Sequence, residues 1–140
     1  MAEQLVLETS ALLDLVVRNA EGAAVASVLR GQLVHVSDHA GVEVAAALCA
    51  LAGGSWLPSD QLEERIRLLV AAPFTSHPAR DLLAAASART GLRLPDALCV
   101  ELSWRLAAPL VTTDSRLATV WPNCWLVTVP AALAPPSAGP

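Results

Sequence analysis

Short apolar runs separated by helix-length segments constrain this chain more than any other feature. Residues 4–8, Leu33 to Val36, Pro109 to Thr112 and Trp125 to Val129 are short, mostly apolar runs rather than alternating ones. Such runs suit strands buried on both faces, as in a parallel sheet covered by helices. Helical spacing fills the gaps. Ala11 to Arg18 follows Thr9 and Ser10, both good N-caps. Glu21 to Arg30 precedes Gly31, and His39 to Leu51 lies between Ser37 or Asp38 and Gly53-Gly54. Another helix starts at Pro58-Ser59-Asp60, where Asp60 and Glu63 have capping-box spacing and Leu62, Ile66, Leu69 and Val70 form an apolar stripe. Pro78 to Thr90, Asp96 to Leu106 and Ser115 to Val120 complete the set, and Ala72 to Thr75 reads equally as strand or loop. The expected fold is a three-layer α/β sandwich with a parallel sheet of four or five strands. It forms one domain over residues 1–130, and residues 131–140 are a flexible tail rich in Pro and Ala.

At 140 residues the chain buries roughly two-thirds of its unfolded surface, so it needs no disulfide staple. Cys49, Cys99 and Cys124 are far apart and read as small core residues in a reducing compartment. His35, His39 and His77 make no zinc-ligand pattern. The chain has no apolar run of about 18 residues, and its N-terminus has an acid and no base before the first apolar run. The expectation is a cytoplasmic protein that does not enter a membrane. Apolar residues make up 54% against 16% charged, a surplus that suits a subunit interface. All nine basic residues are Arg, which removes the P-loop and any lysine-based mechanism. A net charge of −4 gives no general attraction to nucleic acid, so a polyanion needs local arginines and bound cations.

Four acids stand where the apolar pattern breaks. Glu8 and Asp114 end predicted strands, while Glu43 and Asp96 lie on predicted helices. Buried carboxylates are costly without a partner, and a shared hard cation supplies one. In a parallel α/β sheet the ligand crevice lies outside the carboxyl ends of the strands, where two of these acids fall. Asp14 sits well over a helical turn further on and is expected to point away from that end. An aspartyl-phosphate mechanism has no D-x-D motif here, and a phosphorylation receiver lacks its lysine.

The string Leu7-Glu8-Thr9-Ser10-Ala11-Leu12-Leu13 resembles the opening D-x-S-A-L motif of PIN-domain proteins. Val42-Glu43-Val44 resembles their second acid. Asp96-Ala97-Leu98 with Glu101-Leu102, then Leu110-Val111-Thr112-Thr113-Asp114-Ser115-Arg116-Leu117-Ala118, resemble the third and fourth. The likeness spans residues 4–129 and is greatest to small VapC-type toxins. It implies an endoribonuclease dependent on Mg²⁺ or Mn²⁺, a homodimer, and a cognate VapB-type antitoxin whose tail covers the groove. It also implies Glu8, Glu43, Asp96 and Asp114 as catalytic metal ligands, direct or through water, with Ser10 and Thr112 orienting them. Arg116 is a candidate for phosphate or for plain solvent exposure, and Arg80, Arg89 and Arg93 are candidates for substrate choice.

The first acid departs from that pattern, since Glu8 stands where the motif has Asp. One added methylene displaces a ligand that an octahedral ion holds rigidly. Weak metal binding, a preference for Mn²⁺, and a catalytically weak PIN domain serving as a protein- or RNA-binding module all remain open at this point.

Overall fold

The computed structural model describes residues 2–54 and 57–129. The expected tail at 131–140 lies outside them. Five strands, β1 (Gln4–Leu7), β2 (Leu33–Ser37), β3 (Thr75–His77), β4 (Leu110–Thr112) and β5 (Cys124–Leu126), form one sheet in the order β3-β2-β1-β4-β5. Every neighbouring pair is parallel, as short, mostly apolar runs require. The chain winds outward from β1 to β2 and β3, then returns to lay β4 on the other side of β1. The strand order therefore reverses between β1 and β4. The loops leaving these two strands pass to opposite faces and open a crevice there.

Alternation decides which helices cover which face. Leu5, Leu7, Val34 and Val111 point into one core under α1 (Thr9–Val17), α2 (Ala20–Leu29), α3 (Asp38–Gly53) and α4 (Ser59–Ala71). Val6 and Leu110 point the other way, under α5 (Leu83–Ser87), α6 (Leu94–Leu106) and α7 (Ser115–Val120). Leu98 and Leu102, one turn apart on α6, are almost wholly buried. Removing either to Ala costs about 2–5 kcal/mol. The α1–α2 corner is tight. A Cβ at Gly22 would meet the Asp14 carbonyl oxygen at 2.1 Å, so only glycine lets the two helices approach this closely. Asn19 caps α2 by accepting from the Gly22 amide at 2.7 Å.

Several local expectations need correction. The segment 78–90 is not one helix. A 3-10 turn over Ala79–Asp81 precedes α5, which stops at Ser87. The segment is pinned from outside, because Ala79 N–H donates to Asp38 Oδ1 at 2.8 Å and Arg105 donates to the Asp81 carbonyl at 2.9 Å. Leu82 between them turns into the core. The N-cap of α4 is Pro58 with no side-chain cap, so the Asp60–Glu63 box does not form, and Glu63 pairs with Arg67 at 2.6 Å instead. Leu62, Ile66 and Leu69 pack inward, but Val70 is 80% exposed. Strand β5 stops at Leu126, because β4 ends opposite it at Thr112. Cys99 alone is a core cysteine. Cys49 faces out from α3, and Cys124 is half-buried on the edge strand. Among the described residues no helix is long and apolar enough to cross a membrane.

Candidate active site

Glu8 is the first residue past β1 and the N-cap residue of α1, in extended backbone. Its amide donates to the Val111 carbonyl at 3.0 Å, which fixes it against β4. Only 3% of it is exposed. Thr9 and Ser10, expected as helix caps, turn their hydroxyls to acids instead. Ser10 Oγ donates to Glu8 Oε2, and Thr9 Oγ1 donates to Glu43 Oε1 at 3.1 Å.

From β4, the fully buried Thr112 donates to Glu8 Oε2 at 2.7 Å and accepts the Asp114 amide at 2.9 Å. Asp114 caps α7 by accepting from Arg116 N–H at 2.9 Å. One side chain thus joins the first and fourth acids across the β1–β4 reversal.

Asp96 lies in the first turn of α6, where acids are favoured, with Pro95 beside it. Its charge adds to the burial that pushes the Glu8 carboxyl above the usual range, so the two acids share one electrostatic environment. Arg93, three residues before Asp96, donates to it at 3.2 Å. The Arg93 guanidinium is held charged first by Asp96, and Glu43 and Asp114 add to the effect. Arg116 approaches Asp114 at 3.4 Å. Burial alone would raise the Asp114 carboxyl, but hydrogen bonds and charge from Arg116 outweigh it and hold it low. Pairwise links thus run from Glu8 to the Asp114 amide through Thr112, from Asp96 to Glu8 through charge, and from Glu43 to Thr9, the residue after Glu8. Ser10 and Thr112 touch Glu8, and Arg116 touches Asp114.

The reason for Glu43 differs from the expected one. Its neighbour Val42 is 67% exposed, so α3 does not bury an acid there. Glu43 is half-buried beside His39, with Nε2 to Oε1 at 3.8 Å. The sequence weighs His39 only as a zinc ligand, although its i,i+4 spacing to Glu43 signals this pairing. Asp14 also needs correction. Its Oδ2 accepts from the Thr113 hydroxyl at 2.7 Å and its Oδ1 from Asn19 at 2.8 Å. It therefore braces the residue between Thr112 and Asp114 rather than pointing away. Nothing in the spacing of Asp14 and Thr113, 99 residues apart, signals that contact. The Cys99 thiol is pushed up by burial and by Glu8, so it is inert in this wall.

The donors are all carboxylate oxygens, which suits a hard divalent cation. Among the described residues no three His, Cys, Asp or Glu side chains stand close enough to grip an ion as they are.

Comparison with known proteins agrees with this architecture. The family model for the PIN domain matches residues 5–120. The chain belongs to the PIN-domain family. Within that family it is 37% identical over 123 residues to Ribonuclease VapC3 of Mycobacterium tuberculosis, which covers 86% of this chain and 90% of that protein. It is 32% identical over 120 residues to Ribonuclease VapC12 of the same organism, with 81% and 89% covered. Among solved structures, PAE2754 from Pyrobaculum aerophilum superposes with a TM-score of 0.67 at 19% identity, covering 91% of both chains. A toxin–antitoxin complex from Klebsiella pneumoniae gives 0.61 at 17% identity, covering 86% of this chain and 95% of that one. Both support the fold.

Proposed function

We propose that this chain is the toxin component of a toxin–antitoxin pair, an endoribonuclease that hydrolyses RNA phosphodiester bonds with Mg²⁺ or Mn²⁺. The observation that carries the reading is the link at the β1–β4 reversal, where Thr112 joins Glu8 to the Asp114 amide and the charge of Asp96 acts on Glu8. The chain's 37% identity to a protein named a ribonuclease supports it.

The four acids would hold the cation, directly or through water. When bound, the cation would neutralise phosphate charge and acidify a water. The chain's own residues supply position. Ser10 and Thr112 fix one oxygen of Glu8, and Thr9 fixes one of Glu43. Arg93 and Arg116, with side chains 70% and 81% exposed, rest on Asp96 and Asp114. They are free to turn to the phosphates flanking the cut once the acids hold a cation, since guanidinium matches phosphate geometry. A cytoplasmic homodimer bound by a VapB-type antitoxin completes the reading. Exposed Leu94 and Trp104 on α6, and Val42 and Val70 on α3 and α4, provide apolar surface for such contacts.

The second reading, a weakly catalytic binding module, draws on Glu8. Burial favours its protonated form, which is a poor metal ligand. Incubation of the purified chain with structured RNA and Mn²⁺ separates the two. Cleavage that Asp96→Asn abolishes is the expected result, and equal inertness of both proteins across metals and substrates would favour the binding module.

A further inference from the structure

The acid crevice does not end at the acids. Arg93, Asp96, Asp114 and Arg116 surround a notch of about 180 Å³ floored by Gly91 and Leu92. The same Gly91, Leu92 and Val120 also line a larger hollow of about 560 Å³, which reaches Arg89 and Trp121. The notch and the hollow therefore share a wall, and together they make a groove that runs past Asp96 and Asp114 at one end only. Val120, on the shared wall, is 57% exposed.

The far end of this groove is built with more care than a surface hollow needs. The Arg89 guanidinium lies over the Trp121 ring, 5.4 Å from its centroid. Arg89 Nε donates at 2.9 Å to Glu101, an acid with only 3% exposure. Glu101 in turn takes Arg105 Nε at 3.1 Å. Trp121 Nε1 donates to Ser103 Oγ at 3.0 Å, and Ser103 donates to the Ala108 carbonyl at 2.6 Å. The arginine and the indole are thus held from behind by α6. Glu101 is shared by two arginines, so Arg89 brings to this hollow both a fixed guanidinium plane and part of an unbalanced positive charge.

We propose that Arg89 and Trp121 form a nucleobase-stacking subsite for single-stranded RNA. The nucleotide lies beyond the cleavage position, and Arg93 and Arg116 hold the phosphates in between. The inference rests on the ribonuclease reading of the acids. Unpaired bases stack on aromatic rings and on guanidinium planes, and a cationic groove follows the phosphate backbone. A platform fixed before binding loses little conformational freedom when it is occupied.

The test uses the full chain carrying Asp96→Asn, so that the RNA stays intact, with a single-stranded RNA hexanucleotide in Mn²⁺. Added to this parent, Trp121→Leu weakens RNA binding about tenfold, the effect of losing one stacked base. Arg89→Lys keeps the charge facing Glu101 but loses the plane, and it weakens binding several-fold. Trp121→Phe keeps a stacking face and binds within twofold of the parent. If Trp121 only braces the turn at residues 88–93, Trp121→Leu and Arg89→Lys lower the melting temperature and leave RNA affinity within twofold. That result overturns the subsite, and if wild type still cleaves RNA, the ribonuclease reading stands without it. A wild type that neither binds nor cleaves RNA removes both.

Discussion

The Thr112 hydroxyl donates to Glu8 Oε2 at 2.7 Å from a position with no solvent exposure. Thr112 Oγ1 in turn accepts the Asp114 amide at 2.9 Å, so the Thr112 side chain ties together the carboxyl ends of β1 and β4. Thr112→Val keeps the shape and removes both bonds. The half-buried Asp114 amide then loses its partner and Glu8 Oε2 keeps only Ser10, at a cost of about 1–3 kcal/mol. Urea unfolding should show a loss in this range. Thr112→Ser, which restores the hydroxyl, should recover most of it. Equal stability of wild type and Thr112→Val would mean that the link carries no load.

Glu8→Asp should raise both Mn²⁺ affinity and RNA cleavage, with a gain in rate of roughly tenfold, because a misplaced catalytic group costs orders of magnitude. The added methylene brings the Glu8 carboxyl onto the Ser10 and Thr112 hydroxyls, where burial favours its protonated form. Aspartate is shorter and matches the D-x-S-A-L pattern. Calorimetric titration with Mn²⁺ and a cleavage assay check the two effects. A fall in both would mean that the pocket has been rebuilt around glutamate.

His35 and His77 meet at 2.8 Å, Nδ1 to Nε2, across β2 and β3. Burial first, and then His77, lowers the pKa of His35 below its ordinary value of 6.5. The unfolded chain therefore takes up this proton before the folded one does. The contribution to stability is present above pH 6.5 and is lost as the pH falls from there through the folded value. Denaturant midpoints at pH 7, 6 and 5 should fall in that order, and His35→Gln should flatten the dependence. An unchanged slope in the variant would exclude the pair as its source.

The fold was legible because its strands are short, mostly apolar runs and its helices have capping residues and periodic stripes. The reading failed where contacts from outside a segment decide its conformation. Ala79 and Asp81 are held by Asp38 and Arg105, so the helix expected from Pro78 to Thr90 breaks near Leu82. At the candidate site, the motifs single out the four acids, but they do not show the contacts that hold those acids. Thr113 and Asp14 are brought together by the chain's return to β4, and no local pattern encodes that contact. Thr9 shows the remaining ambiguity. A hydroxyl at the start of a helix reads as a cap, and here it serves Glu43 instead.

The central claim is that these distant acids act as one cation site, and Mn²⁺ binding tests it without any RNA. Free Mn²⁺ can be followed by electron paramagnetic resonance as it is titrated against wild type, Asp96→Asn and Asp114→Asn. Wild type should take up the ion, and each variant should bind it at least tenfold more weakly, because losing one carboxylate weakens the shared site. If the variants bind Mn²⁺ as tightly as wild type, the acids do not form a common site.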